Sequence, residues 1–587
     1  MKSFFKTTLA VIVGSLVAFF LCSFLFFGLI GSLASFGDSS EPAVPSKAIL
    51  KIDFATPVSE LGQEDAMAAF QSMNFSSAKP VGILKAVKAI ENAATDPAIK
   101  FVYLNLNQMN IGMANLEEVR SALYNFRKSG KPIITYVDNF SQGAYYLASI
   151  SDKIYMNSDG SGAILGMGST MMFFKDLLDK LGVEVQLIRH GKFKAAAEQF
   201  VASGISKENY EQNKEMIDSI WESWTAEICE SRDIDPVEFN RLVDNLELFS
   251  AESLKEHGLV DELLTRDELY STLCNLFGVE KDNELKFVGL SQYADARVKP
   301  NIKAKGKIAV IYADGEITMS DPAGLSAKKF YPIIRKVSQD SSVKAVVLRV
   351  NSPGGDAQAA EILNKELQLL RQSKPLIISM GEYAASGGYW ISANSEKIFA
   401  DNTTITGSIG VFSMAMNYGE GLKKHLKVNT VDIGSNAHST MLNGINPLDA
   451  KEVEYMQGMV EDIYTKFTQL VSEGRELPVE YVDEVGQGRV WTGADAIENK
   501  LVDEKGGIVD AINYAAAAAG LEDYRIDEYP APKTPMEQFM EMLQGAEATV
   551  KVVADPQETI RSIYSKIEKD GQFRVYARHP FCYDFNL

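Results

Sequence analysis

Short apolar runs of about four to six residues alternate along this chain with longer stretches whose apolar positions recur every three or four residues. Runs such as Phe101-Val102-Tyr103-Leu104 and Ala345-Val346-Val347-Leu348 read as buried strands. Residues 115–128 and 359–371 carry the helical spacing. Strands alternating with helices imply parallel pairing and an α/β fold.

The pattern occurs twice, at an offset of about 244 residues. Ala98-Ile99-Lys100-Phe101-Val102 aligns with Ser342-Val343-Lys344-Ala345-Val346, Lys131-Pro132-Ile133-Ile134 with Lys374-Pro375-Leu376-Ile377, and Ser151-Asp152-Lys153-Ile154 with Ser395-Glu396-Lys397-Ile398. A tandem duplication follows, its copies expected over residues 47–287 and 303–525. Polar residues and Pro300 interrupt the periodicity between them. Each core is followed by a helix-rich extension, residues 209–277 and 449–520. A tail over residues 526–587 has no assigned role.

The first 37 residues differ from the rest. After Lys2 and Lys6 no charge occurs before Asp38, and residues 7–30 are rich in Leu, Phe and Val, long enough to cross a bilayer. No convincing Ala-x-Ala-like site precedes Asp38, so the expectation is an uncleaved anchor in the cytoplasmic membrane. Lys2 and Lys6 keep the N-terminus in the cytoplasm and send the remainder outward. The 587-residue chain is 46% hydrophobic and 23% charged, as expected of globular domains. Its net charge of −20, without a long Lys/Arg block, argues against nucleic acid as a partner. Cys22, Cys229, Cys274 and Cys582 are scattered, so no metal site or disulfide framework is expected, although a Cys229–Cys274 bridge stays open.

The two copies differ at their glycine-rich turns. The second has Asn351-Ser352-Pro353-Gly354-Gly355 where the first has Asn107-Gln108-Met109-Asn110-Ile111-Gly112. Paired glycines free backbone N–H groups to face a ligand, as an oxyanion hole requires, and they equally suit a tight turn. Ala384-Ala385-Ser386-Gly387-Gly388-Tyr389-Trp390 sets Ser386 between a strand and a helix expected from Gly387 onward, either as a nucleophile or as an ordinary N-cap. Gln142 is its match in the first copy. A serine nucleophile needs a base. The histidines at 190, 257, 425, 438 and 579 share no motif with an acidic partner. Gly191-Lys192-Phe193-Lys194-Ala195-Ala196-Ala197 offers Lys194, with His438 or Ser439 opposite it in the second copy and His438 as the weaker base. An apolar setting can lower a lysine pKa, although Lys194 taken alone reads as a surface residue.

These segments, with Thr406-Gly407-Ser408-Ile409-Gly410, resemble the signal peptide peptidase A type, the long bacterial form of the protease IV family, from the anchor to about residue 525. The resemblance implies a ClpP/crotonase-type fold of two β-β-α units, a homotetrameric bowl, and catalysis without a cofactor. It implies that Ser386 is the nucleophile, Lys194 the general base, Ser408 the residue orienting the lysine, and Gly355 with Gly387 the oxyanion donors, beside Gly354. Ala195 and Gln199 depart from the usual Ser and Pro. The implied activity is a membrane-anchored serine endopeptidase for short hydrophobic peptides, cleaved signal peptides included. A crotonase-type acyl-CoA enzyme would share the fold but not need the Ser386/Lys194 pair, and a silent membrane scaffold would not react with a serine probe.

Overall fold

The computed structural model describes residues 44–62, 80–320, 324–531 and the strand Tyr576–Arg578. The expected membrane span, Cys22 and Cys582 lie outside the described residues. Among the described residues no helix is long and apolar enough to cross a membrane.

Two sheets match strand for strand. The first runs Glu262–Leu263, Lys153–Met156, Ile133–Val137, Ile99–Met109, Ala48–Phe54, Phe287–Gly289, all parallel. The second repeats the order with Glu504–Lys505, Lys397–Ala400, Leu376–Ala385, Val343–Ser352, Gly306–Asp314 and Tyr524–Tyr529. It adds Ile405–Gly407 and Val490–Thr492 at one side. Ile133–Val137 is buried at every position, as expected of a parallel strand covered on both faces. The closing strand Phe287–Gly289 pairs with Ala48–Phe54, so the break in periodicity begins after the helix Leu290–Arg297.

A third, mixed sheet carries the site: Leu325–Ser326, Ile317–Thr318, Gly354–Asp356, Tyr576–Arg578, Val411–Asn417, Glu184–His190. Its Glu184–His190 strand belongs to the first copy and runs antiparallel along the second copy's Val411–Asn417, from Val411↔His190 to Asn417↔Glu184. The turn Pro353-Gly354-Gly355 is therefore partly strand. Gly355 needs the absence of a side chain, since a Cβ there would meet Ile317 O at 2.0 Å. Asp356 ends this strand and caps the helix Ala357–Arg371, its Oδ1 accepting from the Ala359 N–H at 2.8 Å.

A buried charge cluster ties the copies together. Arg349, which interrupts an apolar strand, donates to Glu60 Oε2 at 2.7 Å, Asn115 Oδ1 at 2.9 Å and Ser379 Oγ at 2.8 Å, and pairs with Glu118 at 2.7 Å. From the helix Met113–Arg127, Glu117 accepts the Asn402 and Thr403 N–H groups and Glu118 that of Ile508. In return Glu382 accepts from the first turn of that helix, at the Ala114 and Asn115 N–H groups. Burial raises Glu382 to about 7. Cys229 and Cys274 are both buried and unbridged, which settles the open pairing in favour of free thiols.

Candidate active site

Ser386 follows directly on the strand Leu376–Ala385 and adopts φ 55°, ψ −113°, an unusual conformation for a residue with a Cβ. Its N–H donates to Gly407 O at 2.8 Å, and its carbonyl accepts from Trp390 N–H at 2.8 Å. The side chain makes no capping hydrogen bond, so the N-cap alternative fails. The helix that follows, Gly387–Trp390, is a single turn. A strong helix dipole at Ser386 is therefore not available, although the sequence led to a helix from Gly387 onward.

Lys194 enters from the first copy. The chain leaves the Glu184–His190 strand through Gly191, at φ +106°, where a Cβ would meet Gln487 O at 2.4 Å. It is then held from several sides: Phe193 N–H donates to Gln487 O at 2.9 Å, Gln212 Nε2 to Phe193 O at 2.9 Å, and Arg189 Nη1 to Lys194 O at 2.9 Å. Lys194 is 0% exposed, which overturns its reading as a surface lysine. Its Nζ lies 2.8 Å from Ser386 Oγ and 3.0 Å from Ser408 Oγ, and donates to Ser408 O at 3.1 Å. Burial holds its pKa well below the usual lysine value.

Two glycines make room for the lysine: Gly410, from the segment 406–410, and Gly488, which sequence reasoning passed over. A Cβ on Gly488, at φ +78°, would lie 2.6 Å from Lys194 Cβ, and one on Gly410 would lie 3.1 Å from its Cδ. The Gly486-Gln487-Gly488 turn was a visible signal, but nothing local ties it to residue 194. His438 is displaced from the site: it sits in the surface segment before the helix Ala450–Arg475, its Nδ1 3.0 Å from Glu452 Oε1. Ser439 hydrogen-bonds there with Asn436.

The oxyanion glycines separate. Gly354 N–H already donates to Ser352 Oγ at 3.2 Å. Gly355 lies in the strand beside the Ser386 loop, and Gly387 follows Ser386 directly. Gly388 packs so closely that a Cβ would meet Ser352 O at 2.6 Å, holding that loop against the Ser352–Gly355 segment. In the first copy, Ser141 instead caps the helix Gln142–Ala148 by accepting from Ala144 N–H, and Gln142 is buried. A neutral amine against a hydroxyl, both shielded from water, can accept the hydroxyl proton as an acyl group is attacked.

The family model for peptidase family S49 matches this chain twice, over residues 125–280 and 368–522. "Protease 4" of Haemophilus influenzae is 37% identical over 455 residues, covering 74% of this chain and 73% of the relative. "Protease 4" of Salmonella typhi is 34% identical over 473 residues, covering 78% and 76%. A "putative signal peptide peptidase SppA" of Enterococcus faecium is 32% identical over 269 residues, covering 45% of this chain and 77% of the relative.

Proposed function

The chain belongs to peptidase family S49 and is a serine peptidase, and from that premise we propose that Ser386 is its nucleophile, Lys194 its general base and Ser408 the group orienting the lysine. Family membership sets aside the acyl-CoA and silent-scaffold alternatives. The observation that carries the assignment is the 2.8 Å approach of Lys194 Nζ to Ser386 Oγ inside a fully buried pocket.

Neutral Lys194 takes the Ser386 proton as Oγ attacks the scissile carbonyl. The Gly355 and Gly387 N–H groups stabilise the resulting oxyanion. Protonated Lys194 then gives its proton to the departing amine, leaving an acyl-enzyme. Lys194 next deprotonates a water that attacks this ester, and the serine hydroxyl is restored as the new carboxyl terminus leaves. Ser408 Oγ and O, at 3.0 and 3.1 Å, fix the amine's direction throughout. A fluorophosphonate probe should label the wild-type chain at Ser386, label Ser386→Ala not at all, and label Lys194→Ala at least about 100-fold more slowly. Unchanged labelling of Lys194→Ala would remove the lysine from this role.

The substrates in this reading are short hydrophobic peptides near a bilayer, cleaved signal peptides among them. The support is the name borne by the Enterococcus relative and the uncharged residues 7–30. Those residues anchor the chain once, with the peptidase outside the cytoplasm, and the assembly is a homotetramer. Protease added to intact spheroplasts should digest the region after Asp38; protection until lysis would put the peptidase on the other side.

A further inference from the structure

Residues 486–492 of the second copy touch both the Lys194 segment and the Ser408 segment. Phe193 N–H donates to Gln487 O at 2.9 Å, Gly488 N–H to Ile409 O at 2.7 Å, and Ser408 N–H to Arg489 O at 2.6 Å. The strand Val490–Thr492 then runs antiparallel to Ile405–Gly407, with Gly407↔Val490 and Thr406↔Trp491. The buried Gln212 side chain spans the same two segments, its Nε2 donating to Phe193 O at 2.9 Å and its Oε1 accepting from Val490 N–H at 3.4 Å. Arg489 adds a side-chain link. Its guanidinium carbon lies over two rings, 4.6 Å from the Phe193 centroid and 4.6 Å from that of Trp491. Phe193 immediately precedes Lys194. Trp491, whose Nε1 donates to Val485 O at 2.8 Å, packs on Gly407, the residue before Ser408, where a Cβ would meet its Cδ1 at 2.8 Å. From the helix Lys207–Arg232, Glu215 pairs with Arg489 Nη2, and Glu211 Oε1 lies 3.7 Å from Nη1.

We propose that Arg489 is a positioning residue of this peptidase: its guanidinium holds the chain beside Lys194 and its carbonyl holds Ser408, so that the amine from one copy meets the serines of the other. The proposal rests on the assignment of Lys194 as general base and Ser408 as the group orienting it. Ser408 has φ 51°, a left-handed conformation that a residue with a Cβ keeps only where its surroundings impose it. That conformation turns both its Oγ and its O to Lys194 Nζ, and the hydrogen bond from Ser408 N–H to Arg489 O helps impose it. The stack fixes the other partner. A planar guanidinium can lie against ring faces while its edge N–H groups serve Glu211 and Glu215, and it keeps its charge at any working pH. Lys192 Nζ also lies 5.0 Å from the Phe193 centroid, but its compact ammonium cannot lie flat on a ring. Arg489 therefore acts through the neighbours of Lys194 and Ser408, and a small displacement at reacting groups is enough to cost up to about 100-fold in rate.

The test labels full-length chains with fluorophosphonate and reads the final extent, which counts folded sites, separately from the rate. Arg489→Ala should reach the wild-type extent about 30-fold more slowly, and methylguanidinium in the buffer should speed this variant at least about threefold while leaving wild type unchanged. Arg489→Met keeps the packing of the stem without the charged fork, so it guards against a variant that fails to fold. It should label about tenfold more slowly than wild type, and Arg489→Lys should recover part of that loss. In a Lys194→Ala background, Arg489→Ala should slow labelling no further, because its effect passes through the lysine. Wild-type rates in both Arg489→Ala and Arg489→Met overturn the positioning role, and so does a reduced extent at the wild-type rate, the mark of a merely structural residue. An equal loss with and without Lys194 overturns it as well, since Arg489 would then act by another route. Wild-type labelling of Lys194→Ala itself is a different failure: it removes the base assignment, and the proposal falls with it.

Discussion

As the proposed base, Lys194 must be neutral to work, and burial moves its pKa in that direction, well below the usual lysine value. No opposite charge is needed, and the single helical turn after Ser386 adds little. The kcat/KM should therefore rise with pH through an ionisation well below the usual lysine value, because only the deprotonated amine accepts the serine proton. Lys194→Arg should be inactive over the same range, since a guanidinium stays protonated. A robustly active Lys194→Arg enzyme would mean another group is the base. Gly488 makes a second, sharper case. With 2.6 Å between its virtual Cβ and that of Lys194, Gly488→Ala should push the lysine off Ser386 and lower kcat/KM by about 100-fold. The accompanying loss of stability should exceed the about 1–2 kcal/mol of an alanine held at positive φ, because the added Cβ would also meet Lys194 N and Cα at 2.7 Å. Unchanged kcat/KM would show that the lysine tolerates the displacement.

Among the elements, what was legible in the sequence was what depends on local pattern. The apolar runs at 101–104 and 345–348 are strands, and the duplication appears as two sheets of the same strand order. Ser386 stood out by its local glycine-rich setting, whereas the roles of Lys194 and Ser408 came from the resemblance to the protease IV family. Their meeting was not legible: Lys194 and Ser408 are 214 residues apart and come together through the antiparallel pairing of Glu184–His190 with Val411–Asn417. Period-two alternation announces a strand but not its partner. The same reason hid Gly488, and it hid the three-residue C-terminal strand, too short to carry a pattern. The four-residue length of the helix after Ser386 was missed because Gly387-Gly388-Tyr389-Trp390 continues into small and apolar residues that read as helical.

For the whole molecule, the charge cluster around Arg349 makes the two copies interdependent. Arg349→Ala would leave the buried Glu60 and Glu118 without their guanidinium and should cost about 3–5 kcal/mol in denaturant unfolding. Glu118 is already raised by burial, so this deficit should narrow as pH falls and the buried carboxyl takes up a proton. The sign is the same for Glu382 in the wild-type chain. Its folded value of about 7 lies above the unfolded 4.5, so its contribution is fullest below 4.5 and is lost as pH rises through 7. A deficit of under about 1 kcal/mol, or one that widens in acid, would show that the cluster does not couple the copies.

The pairing of Glu184–His190 with Val411–Asn417 also bears on how such a protein can diversify. Two separate polypeptides sharing a composite centre would each have to keep both halves of the chemistry, because either could meet any partner. Joined in one chain, the half bearing the proposed base meets the half bearing the proposed nucleophile by unimolecular closure, in one-to-one stoichiometry at any dilution. Each half is then released from the other's duty. Gln142 stands where a second serine would be redundant, and the first copy is free to specialise in delivering a lysine.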